Sequence, residues 1–334
     1  MHNYTMTGFL LDLLANEAYV SGEDLATKMG MTRSAVWKQV KGLRKLGYKI
    51  EAHPSKGYLL VEKPDRIYPW EVMGKLETEF IGRKMEYYDE LPSTNQRAKE
   101  LILTSPPEGT LILAEKQTSG KGRLGRAWFS PAGIGLCFSL ILKPQLPPNE
   151  LPKLTLVAAV ALSKAIYQEA HRRPLVKWPN DLYLEGRKVS GILTELSGEM
   201  GRLEYLILGV GININQESVD FPEEIREKAG SLRSILGQKK PFSRLDLLGK
   251  YLKQLEEEYT NAIRSGFERT LTYCRRHSAT LGNRVEVTDG RRVYQGKAIR
   301  IEDHGGLVVE DEEGKQAQVI SGDVNLIDFP PPEH

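Results

Sequence analysis

The sequence predicts an α+β protein built from three parts, and three features of the chain support this prediction. The first 63 residues carry apolar side chains at helical spacing and end in two short β-rich runs. Residues 64–278 mix β-rich and helical patterns, and residues 279–334 contain short strands separated by glycine turns. A chain of 334 residues is long enough for two or three domains. We therefore expect domain boundaries at 63/64 and 278/279.

Composition places the chain among soluble proteins. Its 40% hydrophobic and 27% charged residues are typical of a globular protein with well-formed cores. The sequence contains no run long enough to span a membrane and no secretory signal, so we expect a cytoplasmic protein that does not bind membranes. Two cysteines, Cys137 and Cys274, are too few and too far apart for a disulfide framework or a zinc site.

The N-terminal part has the pattern of a helix-turn-helix. Ser21 and Thr32 are placed to cap the second and third helices, and Gly30 ends the second. The third helix is expected to bury an apolar stripe made of Ala35, Val36, Val40, Leu43 and Leu46. Although the net charge of the chain is only +2, residues 28–50 contain lysine and arginine without a single acid. This local basic surface predicts contact with the DNA backbone.

A hairpin after the third helix would complete a winged helix. The β-rich runs 48–53 and 57–61 flank a turn, and that turn would place a lysine at the tip of the wing. The side chains expected to contact DNA are Arg33, Ser34, Trp37, Lys38, Lys41 and Lys56. The alternative that stays open is a basic helical module that docks another protein.

The central part predicts an α+β sheet domain with helices on one side of the sheet. Strands are expected at 85–88, 111–115, 135–142, 176–177, 181–184, 189–196 and 203–210. Helices are expected at 94–103, 151–169 and 243–265, with a partly helical region at 221–236. In the C-terminal part, strands at 285–287, 293–301, 307–310 and 317–320 predict a small β-barrel.

Residues 118–128 carry the strongest chemical signal in the chain. They read Thr-Ser-Gly-Lys-Gly-Arg-Leu-Gly-Arg-Ala-Trp, which combines three glycines with Lys121, Arg123 and Arg126. Glycine allows backbone N–H groups to approach a ligand closely, and the cations stabilise anionic oxygens. A solvated turn has the same composition, so the motif alone is weak.

A second polar stretch strengthens the prediction of an anion-binding pocket. Residues 177–181 read Lys-Trp-Pro-Asn-Asp, and Lys188 follows shortly after them. Asp181 is a candidate Mg²⁺ ligand, because Mg²⁺ prefers carboxylate and phosphate oxygens. Gly209 and Gly211 would let the backbone approach a ligand at the end of a strand. The sequence lacks a Walker A motif and a correctly placed dinucleotide-binding fingerprint.

With these motifs identified, the chain resembles the bifunctional biotin–protein ligases that also repress the biotin operon. The resemblance covers nearly the whole chain and is most specific in residues 120–128, 177–181, 187–191 and 209–213. It implies an N-terminal winged helix-turn-helix, a central class II synthetase-like or SH2-like mixed-sheet domain with helices, and a C-terminal SH3-like barrel. The implied reaction forms biotinyl-5'-adenylate from biotin and ATP with Mg²⁺. The biotin then passes to a lysine of a biotin carboxyl carrier domain.

The resemblance also implies a role for individual residues. Biotin contacts are expected from Ser93, Thr94, Gln117, Gly120, Lys121, Arg123, Lys188, Gly209 and Gly211. ATP or adenylate contacts are expected from Arg123, Arg126, Trp128, Lys177, Asn180 and Asn213. The catalytic groups would be Lys188, Arg123 and Asp181, with Asp181 acting as a base, a Mg²⁺ ligand or a structural residue. Operator DNA is a further implied partner, with the adenylate as corepressor and a homodimer as the adenylate-bound form.

The sequence departs from the family pattern at two places. Lys121 stands where the family loop usually has arginine, so the charge is kept and the bidentate fork is lost. The loop at 216–236 has no tryptophan to stack on adenine, which leaves Leu232 and Ile235 as candidates. Two other functions stay open: a lipoate–protein ligase, which shares the fold, and a ligand-sensing repressor without catalysis. The operator, the acceptor protein and the dimer interface are not determined by the sequence.

Overall fold

The computed structural model describes residues 2–15, 18–199, 202–290 and 292–327. It forms two compact units, Met1–Lys75 and Leu76–His334. None of the helices in the described ranges is long and apolar enough to cross a bilayer. The boundaries expected at 63/64 and 278/279 stay predictions.

The first unit is a helix-turn-helix followed by a hairpin. Its elements are α1 (His2–Leu14), α2 (Gly22–Met29), α3 (Arg33–Lys45), β1 (Lys49–His53), β2 (Gly57–Glu62) and α4 (Pro69–Met73). The predicted caps are confirmed, because Ser21 Oγ accepts the N–H of Asp24 at 3.0 Å and Thr32 Oγ1 accepts the N–H of Ala35 at 3.2 Å. Gly30 ends α2 in the left-handed region, at φ +62°.

Helix α3 buries one face and exposes the other. Val36, Val40 and Leu43 are buried, as predicted. The prediction for Leu46 was wrong: it follows the last helical residue, where the helical spacing no longer applies, and is 39% exposed. The predicted outer side chains are exposed, namely Arg33, Ser34, Trp37, Lys38 and Lys41.

The segment that follows the hairpin belongs to the same unit. Helix α4 packs against α1, and Ile67 and Tyr68 just before it are buried. Trp70 Nε1 donates to Tyr48 Oη at 2.7 Å, and Tyr48 Oη donates to Glu71 at 2.8 Å. Residues 64–75 therefore complete the core of the first unit.

The second unit is built on a seven-stranded mixed sheet. Its strands are β3 (Met85–Leu91), β4 (Thr110–Gln117), β5 (Gly135–Leu142), β6 (Leu175–Lys177), β7 (Asp181–Leu184), β8 (Arg187–Glu199) and β9 (Arg202–Asn213), in the order β3-β4-β5-β9-β8-β7-β6. Strands β3 and β4 are parallel and the other neighbours are antiparallel. Strand β9 runs beyond its predicted end at residue 210 to Asn213, so the Gly-Val-Gly-Ile-Asn sequence lies within the sheet.

Helices cover both faces of this sheet, so the prediction of helices on one side was wrong. The helices are α5 (Thr94–Ile102), α6 (Lys153–Ala170), α7 (Glu223–Arg226), α8 (Leu232–Ile235), α9 (Arg244–Ser265) and α10 (Glu268–Arg276). On β5, Phe138 packs against Tyr251 of α9, whereas Ser139 contacts α5. Because consecutive residues of a strand point to opposite faces, α5 and α9 lie on opposite sides of the sheet. Helix α10 was not predicted.

The C-terminal part of the second unit is an antiparallel five-stranded sheet. Its strands are β10 (Arg284–Thr288), β11 (Val293–Ile301), β12 (Leu307–Glu310), β13 (Gln316–Val319) and β14 (Asp323–Leu326), in the order β13-β12-β11-β10-β14. The first four strands were predicted and β14 was not. The predicted α+β class, with an N-terminal helix-turn-helix, a mixed central sheet and a β-rich SH3-like C-terminal part, is confirmed.

Candidate active site

A cavity of about 430 Å³ opens on the α5 side of the central sheet. Most of the predicted site residues line it: Ser93, Thr94, Gln117, Lys121, Arg123, Arg126, Trp128, Lys177, Asn180, Asp181, Lys188, Gly209, Gly211 and Asn213. Gly120 lies beside the cavity, where a Cβ would come 3.0 Å from Gln117 Nε2. The fold therefore collects residues that are more than a hundred positions apart in the chain.

The floor of the cavity is made by glycines of two neighbouring strands. A Cβ on Gly209 would lie 2.1 Å from Asn95 Oδ1, and a Cβ on Gly211 would lie 2.3 Å from Trp128 Nε1. Gly191 on β8, which pairs with Gly211, also faces Trp128. These positions need glycine because side chains from α5 and from the 120–128 segment lie directly on the sheet.

Residues 120–128 form a tight hairpin-like turn over this floor. The N–H of Trp128 donates to the carbonyl of Gly120 at 2.8 Å, and the N–H of Gly122 donates to the carbonyl of Arg126 at 2.7 Å. The turn is closed by Leu124 and Gly125, both with φ in the left-handed region, at +55° and +74°. Its cationic side chains consequently lie around the cavity.

One end of the cavity is lined by neutral hydrogen-bonding groups. Gln117 Oε1 accepts the backbone N–H of Thr94 at 2.8 Å and lies 3.1 Å from Thr94 Oγ1. Ser139 Oγ lies 2.7 Å from Thr94 Oγ1 and 2.5 Å from Asn95 Oδ1. Ser93, which caps α5, is also buried here. This end suits a small ligand group that both donates and accepts hydrogen bonds.

The opposite end carries several cations around the carboxylate of Asp181. Lys188 Nζ lies 2.7 Å from Asp181 Oδ1, and Lys177 Nζ lies 3.7 Å from Asp181 Oδ2. Arg123 Nη1 donates to Asn180 Oδ1 at 3.1 Å. Burial lowers the pKa of Lys177 and of Arg123, although the charge of Asp181 acts in the opposite direction on both. These cations exceed the charge of the carboxylate, so the end is suited to an anionic ligand.

Comparison with known proteins places this geometry in a family. A model of the biotin/lipoate A/B protein ligase family matches residues 87–213, a helix-turn-helix domain model matches 9–59, and a model of the biotin protein ligase C-terminal domain matches 280–326. The bifunctional ligase/repressor BirA of Bacillus subtilis is 38% identical over 93% of this chain and 95% of its own length. The chain belongs to the biotin–protein ligase family.

Other relatives agree with this assignment. The bifunctional ligase/repressor BirA of Escherichia coli is 34% identical over 66% of this chain and 67% of its own length. Among solved structures, the biotin protein ligase of Aquifex aeolicus in complex with biotin and ATP aligns with a TM-score of 0.65 and 34% identity, covering 73% of this chain and 99% of its own. The family is therefore supported both by sequence and by structure.

In this ligase several cavity residues were missed by sequence reasoning. Asn95 follows Ser93 and Thr94 but was not predicted as a site residue, although its side chain lies against Gly209. Asp323 and Asn325 of β14 also line the cavity, and Asp323 pairs with Arg126. No local signal marks these two residues, because β14 meets the site only in the folded chain.

The two candidates for adenine stacking do not reach the cavity. Leu232 is completely buried, and the side chain of Ile235 packs against Gly230. The apolar side chains that do line the cavity near this segment are Phe129, Phe221 and Ile225. Phe129 and Phe221 have ring centroids 6.3 Å apart. These side chains, rather than Leu232 and Ile235, face the cavity in this region.

Proposed function

We propose that this protein makes biotinyl-5'-adenylate from biotin and ATP and transfers the biotin to a lysine of a biotin carboxyl carrier domain. The observation that carries the proposal is a single cavity with a neutral hydrogen-bonding end and a cationic end. The urea ring of biotin suits the first end, and its carboxylate together with the ATP phosphates suits the second. The family membership and the Aquifex aeolicus complex with biotin and ATP support the same reaction.

In the first step a carboxylate oxygen of biotin attacks the α-phosphorus of ATP, and the bond to pyrophosphate breaks. Both reactants are anions, so the cavity must neutralise their repulsion. Lys188, Arg123 and Lys177 supply positive charge at the cationic end. Fixed cations of this kind also stabilise the charge that builds up in an in-line transition state. Lys188 would release Asp181 to contact the incoming anions.

Mg²⁺ would accompany ATP, and the donor chemistry of the cavity fits such an ion. Mg²⁺ is usually held by one or two carboxylates together with substrate phosphates. Asp181 offers a carboxylate between Lys177 and Lys188, and within the described residues no cluster of three or more acidic, histidine or cysteine side chains offers a metal cage. Asp181 would hold the ion, which screens the charge of the phosphates.

In the second step the acceptor lysine attacks the carbonyl carbon of the adenylate, and AMP leaves. The lysine must first lose a proton from an ammonium group with an ordinary pKa of about 10.4. Asp181, which lies at the cationic end, would accept this proton. The turn at 120–128 would shield the reactive mixed anhydride from water until the carrier arrives.

The N-terminal unit supports a second activity, repression of biotin genes with the adenylate as corepressor. The exposed face of α3 carries Arg33, Lys38 and Lys41, and Trp37 is 50% exposed beside Lys41. Lys56 is exposed at the tip of the β1–β2 hairpin. A helix with basic side chains and a basic wing is the arrangement that winged helices insert into DNA. The homodimer that would place two such helices on an operator is part of this proposal.

The test is incubation of the purified protein with ATP, Mg²⁺ and either biotin or lipoate. Mass spectrometry of the bound small molecule should then detect biotinyl-adenylate, and a biotin carboxyl carrier domain added afterwards should gain the mass of biotin. Lipoyl-adenylate in place of biotinyl-adenylate would replace the proposal with a lipoate ligase. Binding of biotin without any adenylate would leave a ligand-sensing repressor.

A further inference from the structure

Strand β6, which carries Lys177 to the cavity, is held in part by a segment outside the central sheet. The strand has three residues and pairs with β7 at the edge of that sheet. On its other side, the N–H of Val176 donates to the carbonyl of His277 at 2.8 Å, and the N–H of Ala279 donates to the carbonyl of Val176 at 2.9 Å. The position of β6 therefore depends on the segment that leads into the C-terminal sheet.

Trp178 joins the end of β6 to that C-terminal sheet. Its side chain is buried, with 2% exposure, and its indole Nε1 donates to the carbonyl of Gly305 at 2.9 Å. Its backbone N–H donates to Thr280 Oγ1, also at 2.9 Å. An indole nitrogen only donates and a carbonyl oxygen only accepts, so the indole bond has one possible direction.

The acceptor carbonyl belongs to the turn at 302–306 between β11 and β12. In this turn the N–H of Glu302 donates to the carbonyl of Gly306, and the N–H of Gly305 donates to the carbonyl of Glu302, both at 2.8 Å. Gly305 has φ +87°, in the left-handed region that favours glycine. The turn therefore holds the carbonyl that Trp178 contacts.

Trp178 lies between two charged groups of the cationic end. Lys177 precedes it, and Asp181 follows three positions later and pairs with Lys177 across β6 and β7. Both side chains are buried, with Lys177 Nζ 3.7 Å from Asp181 Oδ2. A shift of Trp178 would move the ammonium and the carboxylate relative to a bound ligand. A misplacement of about 1 Å is enough to reduce a rate on the order of 10²-fold.

We propose that Trp178 is a positioning residue for adenylate formation, and that it acts through the carbonyl of Gly305. The turn between β11 and β12 then holds Lys177 and Asp181 where they meet the ATP phosphates. The inference rests on the proposed function, since ATP is a substrate of the proposed reaction. The indole N–H carries this role, so an aromatic side chain without that N–H should lose it.

The first variant is Trp178→Phe, which keeps an aromatic ring and removes the indole N–H. We expect kcat for pyrophosphate release to fall and KM for ATP to rise, with a combined loss in kcat/KM on the order of 10- to 100-fold. KM for biotin should change little, because the neutral end of the cavity lies on α5 and β4. A purely structural role would lower stability and leave the constants of the folded protein unchanged.

The matched control for this variant is Trp70→Phe. It also removes an indole N–H that donates to a neighbouring group, since Trp70 Nε1 donates to Tyr48 Oη at 2.7 Å. Trp70 belongs to the first unit and does not line the cavity. We expect Trp70→Phe to leave kcat and KM for ATP unchanged.

A second variant, Gly305→Ala, tests the acceptor side of the same bond. Alanine is strained at φ +87°, and its Cβ would lie 3.0 Å from Lys153 Cγ, so the carbonyl should shift. We expect the same kinetic change as in Trp178→Phe. In the double variant the two losses should not add, because both remove one hydrogen bond. Gly314→Ala, at φ +80° with nothing within 4 Å of the new Cβ, is the control and should change neither constant.

Circular dichroism and denaturant unfolding identify the variants that are folded at the assay temperature. A folded Trp178→Phe with wild-type constants would overturn the proposal, and so would an equal loss in Trp70→Phe or losses that add in the double variant. If Trp178→Phe does not fold, Gly305→Ala compared with Gly314→Ala decides the question. A wild-type protein that makes no biotinyl-adenylate would instead overturn the proposed function.

Discussion

At the scale of single residues, the cationic end of the cavity depends on Lys188, which forms an ion pair with Asp181. Lys188 Nζ lies 2.7 Å from Asp181 and 5.7 Å from the centre of the Trp128 ring. The lysine is 30% exposed, so it can leave Asp181 and contact an anion without unfolding the site. This partial exposure distinguishes Lys188 from the buried Lys177.

We predict that Lys188→Ala keeps the fold and slows adenylate formation. Loss of one electrostatic contact to the transition state typically reduces the rate by about 10²–10³. The measurement is single-turnover pyrophosphate release, with circular dichroism to check the fold. Lys75→Ala, an exposed lysine outside the cavity lining, serves as the control. Release at the wild-type rate would remove Lys188 from the catalytic groups.

Glycine at position 209 is a second single-residue requirement. A Cβ there would lie 2.1 Å from Asn95 Oδ1, closer than van der Waals contact allows. We predict that Gly209→Ala displaces Asn95, weakens biotin binding and destabilises the fold by about 1–3 kcal/mol, the usual cost of overpacking. Isothermal titration with biotin and denaturant unfolding measure the two effects. Gly42→Ala, where nothing lies within 4 Å of the new Cβ, should show neither.

At the scale of elements, the turn at 120–128 is joined to the C-terminal sheet. Arg126 forms an ion pair with Asp323 of β14, and Arg123 Nη2 donates to Ser321 Oγ at 3.4 Å. Arg126 is 64% exposed, so the contact is worth little by itself. Together with the Arg123–Ser321 contact, it joins the turn to the C-terminal part of the second unit.

We predict that Asp323→Ala loosens this turn and lets the adenylate escape faster. An exposed ion pair contributes roughly 0.2–1 kcal/mol, so the dissociation rate should rise by at most about fivefold. The measurement is release of preformed biotinyl-adenylate after dilution. Glu312→Ala, which removes another exposed pair of the same sheet, with Arg284, should have no effect. An equal rise in both variants would show a general loosening of the sheet.

At the scale of the whole molecule, the two compact units suggest two separable activities. Residues 64–75 belong to the first unit through buried Ile67 and Tyr68, so the cut should follow Lys75. We predict that removal of residues 1–75 abolishes DNA binding and preserves adenylation. Gel shift and pyrophosphate release measure the two activities. A folded truncated protein that makes no adenylate would show that the units are interdependent.

The last prediction concerns coupling between these activities. If the adenylate fixes the turn at 120–126, a partner that binds the turn afterwards meets an ordered surface and loses less entropy. We hypothesise that this surface is part of a homodimer interface, for which a carrier domain would compete. A coupling of about 1–3 kcal/mol would change operator occupancy roughly 5- to 150-fold. Sedimentation and operator binding with a non-hydrolysable adenylate analogue test this, and no change in either would contradict it.

Local patterns in the sequence determined much of this protein. The caps of α2 and α3, the exposed basic face of α3 and most strands could be predicted because they depend on neighbours within one helical turn or on alternation along a strand. The segments at 120–128 and 177–181 predicted an anion-binding site because they concentrate glycines and cationic side chains. Leu46 was misjudged because the sequence does not mark the last helical residue.

Only the tertiary structure decided which of these groups meet. Asn95 lies against Glu195, 100 positions away, and Arg126 lies against Asp323, 197 positions away. Such pairs depend on strand order and on which face each strand presents, and a shift of one residue would reverse every side chain. Strand order and strand orientation also determine that helices cover both faces of the central sheet and that β14 lines the cavity. The sequence determined the chemistry of the site, and the fold determined its geometry, because distances across a sheet are not encoded by spacing along the chain.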